Sequence, residues 1–390
     1  MKATILDSVK NNRYLQFYLD NCVRCGACIE ACHFYQGDPD NPLHAPVYKN
    51  ELVRRLVKQE TLLGKLGFYG KVKDGDKYSE DLAYAVYQSC TNCRRCVTYC
   101  PFSIDISVVN TAVRAALIKN DLAPEIQLML ADMQIERREN TELYLEAFKN
   151  QITEIENDVR EELNDPTFKI PLSVDTQEAS VLYVPLSGEH TITPAAKIFH
   201  AAGEDWTMSL FDSSNMGFLT GDVARAKQIA GAVVEEAKKV GAKKLVVSEC
   251  GHAYRIMKQF IQVWFEEKAV TFDVELIDET IASYIKEGKI KLDKSKNPGR
   301  FTHHDPCQHA RNAGMTEEPR YVLNHAVSEF VEMIPNRKDN WCCGGGGGVV
   351  AVPDFDETRM KGGKMKAEQI KAAKAIVKAK QQRGKTGFLD

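Results

Sequence analysis

The sequence predicts an α + α/β protein, a helical N-terminal module joined to an α/β domain with mostly parallel sheets, and three observations predict it. Eight of the twelve cysteines fall before residue 101 and the other four after residue 249, which divides the chain into two modules. From about residue 178, short β-rich runs alternate with helical stretches, the pattern of βαβ units around a parallel sheet. The chain is 390 residues long, comfortable for two domains with a sizeable core. The expected boundaries are 1–115 for the first module, 116–177 for a helical linker and 178–390 for the α/β domain.

The composition narrows the function classes. With 44% hydrophobic and 27% charged residues and a net charge of −3, there is no electrostatic footprint for nucleic acid. No apolar run approaches the roughly 20 residues that span a bilayer, and "MKATILDSVKNNRY" lacks the apolar centre of a signal peptide. A cytoplasmic protein is expected, in which twelve cysteines serve as metal ligands or redox groups rather than structural disulfides.

In the first module, "CVRCGACIEACH" sets Cys22, Cys25, Cys28 and Cys32 at C-x2-C-x2-C-x3-C, and "CTNCRRCVTYCP" repeats the pattern with Cys90, Cys93, Cys96 and Cys100 before Pro101. Three thiolates at two-residue gaps wrap one face of a cubane iron–sulfur cluster, and the fourth reaches the other cluster. By that crossover, Cys22, Cys25, Cys28 and Cys100 hold one [4Fe-4S] cluster, and Cys90, Cys93, Cys96 and Cys32 the second. Zinc sites use paired C-x2-C knuckles instead. The 57 residues between Cys32 and Cys90 exceed a compact bacterial ferredoxin, and "NELVRRLVKQETLLGKLG" reads as a helix, so a helical ferredoxin domain is expected. Arg24, Arg94 and Arg95 lie between ligands, either offsetting cluster charge or facing solvent.

The charge-rich linker spaces Phe148, Ile152, Ile155 and Val159 four, three and four apart, one face of a solvated helix docked by a single stripe. After it come "ASVLYVPLS", "TMSLFD", "KKLVVSEC", "VTFDVELID" and "RFTHHDPC" as strands, with helices between them and a long final helix. Cys250 and Cys307 each close a predicted strand, where sites form in parallel sheets.

Cys342 and Cys343 stand in "NWCCGGGGGVV". No Lys-Ser or Lys-Thr follows these glycines, and Val349 occupies the last glycine position of a dinucleotide fingerprint, so neither phosphate-binding loop fits. A vicinal disulfide and a metal site remain.

The spacing Cys307-x34-Cys342-Cys343-Gly344 resembles the CCG motif of heterodisulfide reductases, often present twice in one chain. In the first copy, Ser187 stands in the lone-cysteine position and Ser213 and Ser214 in that of the pair, yet 35 residues separate Ser214 from Cys250, the spacing of the closing element. The second copy keeps Cys307, Cys342 and Cys343, but its closing position falls at Ala379. A pseudo-duplicated domain would let the two remnants meet, so that Cys250, Cys307, Cys342 and Cys343 supply four thiolates to one centre. Glycines 344 to 348 would let the backbone crowd a cluster and donate N–H groups to its sulfurs.

Together with "VRCGAC", "CPFSID", "ECGHAYR", "HDPC", "EEPRYV" and "RMKGGKMKA", these motifs resemble the catalytic iron–sulfur subunit, of type K, in the membrane complex associated with dissimilatory sulfite reductase. That family is itself similar to the D-type catalytic polypeptide of heterodisulfide reductase. The resemblance implies a thiol/disulfide-acting oxidoreductase with three [4Fe-4S] clusters, two cubane and a C-terminal one that is often noncubane. It also implies a protein peripheral on the inner face of the cytoplasmic membrane, docked through a cytochrome b-type subunit that exchanges electrons with quinones. Other subunits of a redox complex and a small cysteine-bearing sulfur carrier protein are the remaining implied partners.

Cleaving an S–S bond takes two electrons, delivered singly by clusters, and the departing sulfur leaves faster when its charge meets a proton or cation. His252, His303, His304 and His309, with Arg255 and Arg311, surround Cys250 and Cys307 in sequence; His252 and His304 lead as proton donors. The alternative to an enzyme is a non-catalytic iron–sulfur relay in another heterodisulfide reductase-like complex.

Overall fold

The computed structural model describes residues 1–69, 72, 75–186 and 188–386. Among the described residues, the regular elements of the N-terminal module are all helices. Its longer helices are Lys2–Lys10, Arg13–Asp20, Pro46–Gln59 and Ile106–Ile118; two of them start at side-chain caps, where Asn12 Oδ1 accepts from the N–H groups of Tyr14 and Leu15, and Asp105 Oδ1 from Ser107. They bury Ile5, Leu15, Leu19, Val53, Leu56, Val109, Val113 and Leu117 in one core.

Beyond helices Glu125–Glu139 and Thr141–Leu163, the α/β domain is built on four parallel strands, β1 (Val181–Val184), β2 (Trp206–Met208), β3 (Lys244–Val247) and β4 (Asp273–Leu276), in the order β2-β1-β3-β4. Val181 lies opposite both Trp206 and Lys244, and Lys244 opposite Asp273. The pleat sends Leu182, Val184, Leu245 and Val247 to one core with helix Val223–Lys239, and Val181, Tyr183 and Val246 to the other. Ile152, Ile155 and Val159, the stripe expected on the long charged helix, are buried on that second face. The sheet is therefore covered on both sides, as parallel sheets are.

A second parallel pair, β5 (Arg300–Phe301) and β6 (Glu329–Phe330), follows with Arg300 opposite Glu329. The strand expected to run to Cys307 ends at Phe301, because the chain beyond it pairs with side chains instead: Asp305 is buried against Arg320 at 2.7 and 2.8 Å. Helix Asp356–Thr386 returns to the N-terminal module, crossing helix His33–Gly37 at glycines; a Cβ on Gly362 would lie 2.6 Å from the Phe34 ring. No helix among the described residues is long and apolar enough to cross a membrane.

Candidate iron–sulfur centres

The two N-terminal quartets fold as loops of matching conformation. Arg24 and Gly26 in the first, and Asn92 and Arg94 in the second, take left-handed backbone angles at matching positions, winding the chain around its thiols. Burial and the neighbouring Cys22, Cys32 and Cys100 push the Cys28 thiol up to about 12, against a Val47 backbone hydrogen bond. Cys32, Cys90, Cys93 and Cys96 line one cavity together with Lys49 and Asn110. The fourth cysteine of each quartet has thus crossed toward the other. All twelve cysteines are free thiols, Cys25 and Cys343 exposed and Cys342 buried.

Donors point at these sulfurs. Asn110 Nδ2 donates to Cys90 Sγ at 3.1 Å and Ile104 N–H to Cys100 Sγ at 3.3 Å. Lys49 is buried, donates to the Ser89 hydroxyl at 3.0 Å and pulls down the pKa of Cys32, which burial raises. Of the arginines between ligands, Arg94 pairs with Asp105 at 2.8 Å, while Arg95 is buried under Trp341, its guanidinium 3.5 Å from the ring centroid.

The C-terminal cysteines gather partly around Cys342. Its thiol is pushed well up by Cys307, Cys343 and Cys93, all within hydrogen-bonding reach, and by burial. Gly344 N–H lies 3.5 Å from Cys342 Sγ, and Thr91 Oγ1 is 3.3 Å from it. Cys343 is drawn down to about 3 by Cys342, then by His304 and the Gly345 N–H, against burial. Cys93, His33 and Cys342 place their ligand atoms within 4.8 Å of one another, so the second N-terminal quartet abuts the C-terminal set.

Cys250 sits apart from this group electrostatically. Burial pushes it up to about 11, and the largest charges acting on it are Asp212 and Glu249 rather than the other thiols. It precedes helix Gly251–Arg255, which packs on the turn Cys307–Arg311; a Cβ on Gly251 would lie 2.8 Å from Gln308. The serines read as remnants of a first motif copy are hydrogen-bonded to other polar side chains. Ser213 Oγ and Ser248 Oγ are 3.0 Å apart beyond the carboxyl ends of β1 and β3, and Gln134 Nε2 donates to Ser214 Oγ at 2.9 Å. Ser187 lies outside the described residues.

The histidines divide by partner. His252 Nε2 accepts the Gly347 N–H at 3.3 Å, and burial lowers its pKa to about 4. His304 faces Cys343. His303 approaches Asp305 at 3.7 Å, and the buried His309 packs edge-on to Tyr254. Arg255 donates to Gln308 at 3.3 Å, and Arg311 to the Cys93 carbonyl at 2.8 Å.

Sequence reading missed a second group: His33, Lys49, Thr91, Asn110, Arg114, Asn340 and Lys366. Lys366 is buried beside Cys342 and Cys343, and burial lowers it to about 8 against the pull of those thiolates. Among the described residues, neither Lys49 nor Lys366 has a carboxylate within ion-pair distance. A buried ammonium without a counter-charge is costly. An anionic thiolate-ligated cluster at each thiol set removes that cost, and the residues present fit such groups.

Comparison with known proteins agrees. Residues 18–104 match the 4Fe-4S dicluster domain family and residues 301–382 the cysteine-rich domain family. The chain is 30% identical to "Hdr-like menaquinol oxidoreductase iron-sulfur subunit 2" of Archaeoglobus fulgidus, over 91% of this chain and 72% of the relative. This chain belongs to the heterodisulfide reductase-like iron–sulfur family. A second member, "Hdr-like menaquinol oxidoreductase iron-sulfur subunit" of Archaeoglobus profundus, is 31% identical over 93% and 73% of the two chains. The D-type polypeptide of the dihydromethanophenazine-dependent heterodisulfide reductase of Methanosarcina mazei is 29% identical over 86% and 80%. No solved structure matches. As a heterodisulfide reductase-like protein, the chain is an iron–sulfur oxidoreductase that carries electrons through [4Fe-4S] clusters.

Proposed function

We propose that the protein passes electrons between a membrane cytochrome b-type subunit, in exchange with the quinone pool, and a disulfide or trisulfide substrate on a small cysteine-bearing sulfur carrier protein. Three [4Fe-4S] sites lie along the route: Cys22, Cys25, Cys28 and Cys100 form the first, Cys32, Cys90, Cys93 and Cys96 the second, and Cys307, Cys342 and Cys343 with Cys250 the third. The observation that carries this reading is the approach of Cys93 to Cys342, with His33, within 4.8 Å. The second and third sites meet there across the domain boundary, and no further carrier is needed between them.

When bound, the clusters supply single electrons, two of which cleave one S–S bond. The chain's own residues divide the remaining work. Cys342 is buried, whereas Cys343 is exposed and gives the site its open side. His304, facing Cys343, supplies the hydrogen that meets charge on the departing sulfur. His252 holds the glycine loop by its Gly347 contact. The names of the Archaeoglobus and Methanosarcina relatives, menaquinol oxidoreductase and heterodisulfide reductase, support both ends of the route. In this reading the protein lies on the inner face of the cytoplasmic membrane, held by its partner subunit.

Anaerobically purified protein is expected to hold about twelve irons and as much acid-labile sulfide, and Cys342→Ser about eight. Eight in the native protein would remove the third site. Oxidised protein mixed with a thiol substrate should give a new paramagnetic signal that Cys342→Ser lacks. A signal that follows potential alone, indifferent to thiol, would make the protein a relay rather than an enzyme.

A further inference from the structure

Lys366 belongs to neither thiol set, and its buried ammonium has three neighbours that accept hydrogen bonds. They are Asn340 Oδ1 at 2.7 Å, Gln369 Oε1, and Met333 Sδ at 3.9 Å. An ammonium only donates, so the Asn340 atom facing it is the amide oxygen. The other end of that amide lies 2.7 Å from the Asp305 carbonyl, which only accepts, so that end is the NH2 group. The orientation of the buried Asn340 side chain is therefore fixed from both sides.

The same NH2 group lies 3.0 Å from His304 Nδ1. Facing a donor, Nδ1 is the bare nitrogen, and the neutral ring carries its hydrogen on Nε2. The His304 ring also acts on the Cys343 thiol, and with Nδ1 taken the hydrogen it has to offer is the one on Nε2. The chain of contacts thus runs Lys366, Asn340, His304, Cys343, with every donor direction set by the first two residues.

We propose that Lys366 and Asn340 are positioning residues that lock His304 in the tautomer donating its Nε2 hydrogen to the Cys343 sulfur. The lock stabilises electron-rich sulfur at the third site, since hydrogen bonds to cluster sulfurs set reduction potentials. It involves the segment "NWCC" and the "KGGKMK" stretch of the final helix, 26 residues apart at Asn340 and Lys366. This inference rests on the reading that Cys343 ligates a cluster.

The test uses the anaerobically purified holoprotein and two variants. Asn340→Asp keeps the size but presents an acceptor to Nδ1, which moves the ring hydrogen there and turns a bare Nε2 toward Cys343. Lys366→Met removes the ammonium that orients the amide. The native third site should show a deuterium-exchangeable proton coupled to its electron spin, and both variants should lose that coupling. Their third-site midpoint potentials should fall while those of the two N-terminal sites hold. Lys366→Arg, which keeps a donor toward Asn340, should retain the coupling. If Asn340→Asp fails to assemble, Lys366→Met decides alone. A lower midpoint with the coupling retained would reduce Lys366 to a mere charge and overturn the positioning role, as would two unmoved midpoints. Eight irons and no third-site signal in the native protein would instead overturn the underlying cluster reading.

Discussion

Glu236 shows how a single buried carboxylate is held without an ion pair at its oxygens. Its Oε1 accepts from the Ser173 hydroxyl and, at 3.0 Å, from the Leu210 N–H, while Oε2 accepts from the Ser209 hydroxyl, tying helix Val223–Lys239 to the end of β2. Burial raises its pKa and outweighs these three hydrogen bonds and Lys239, all of which lower it. The folded protein consequently keeps this proton to higher pH than the unfolded chain, whose glutamates titrate near about 4.3. Stability contributed by the group is present below that value and is lost as pH rises through the folded pKa. Glu236→Gln preserves every contact, since Nε2 donates to the Ser209 oxygen while Oε1 keeps its two donors. The variant should have the higher urea midpoint at pH 8, with a smaller advantage at pH 5.5. A variant that is less stable at pH 8 would show that the hydrogen bonds, not burial, govern this carboxylate.

The glycine run is an element whose members are not equivalent. Gly347 has φ +65°, and a Cβ there would lie 2.7 Å from the Thr91 backbone, whereas Gly345 has ordinary contacts only, the nearest at 3.9 Å. The left-handed angle alone costs a Cβ-bearing residue about 1–2 kcal/mol, before the clash is counted. Gly347→Ala should therefore push the loop off the N-terminal module and drop iron from about twelve to about eight per chain, while Gly345→Ala keeps about twelve; the iron assay distinguishes them. The contrast also shows what was legible in the sequence. Both N-terminal quartets could be picked out because their cysteines are neighbours in the chain, as could the stripe Ile152, Ile155 and Val159, which repeats with the helical turn. Thr91 meets Cys342 across 251 residues and His33 reaches Gly362 across 329, separations at which no periodicity survives. Cys250 is placed in the sequence by spacing alone, and the charges beside it in the fold belong to Asp212 and Glu249. The strand before Cys307 reads too long in sequence because a buried ion pair, invisible to β propensity, takes over after Phe301.

At the scale of the whole molecule, one side chain joins all the parts. Arg114 lies in the apolar helix Ile106–Ile118 and is fully buried. Its Nε donates to the Val86 carbonyl at 2.9 Å; Nη2 to Val86 at 2.6 Å and Cys90 at 2.8 Å; Nη1 to Gly347 at 3.1 Å and to Leu219. All five hydrogens of the guanidinium are used. The acceptors belong to the N-terminal module, to the four-stranded domain and to the glycine loop, and the Tyr87 hydroxyl adds a bond to the Thr220 carbonyl at 3.0 Å. Hydrogen bonds to a charged group contribute about 1.5–3 kcal/mol each, and the desolvation of the buried guanidinium offsets much of their sum. Arg114→Met, which keeps the length and apolar stem but removes every donor, should destabilise the protein by about 3–5 kcal/mol. The loss should fall on the junction rather than on either core, since the packing of Val109 and Val113 on one side and of the sheet on the other is untouched. In the native protein, bleaching of the iron–sulfur absorbance and loss of helical circular dichroism should then occur as one thermal transition. In Arg114→Met they should separate, with the proposed third site lost first because Cys342 is held against Thr91 and Cys93 of the N-terminal module. Coincident transitions in the variant, at an unchanged temperature, would mean that the modules are held together elsewhere.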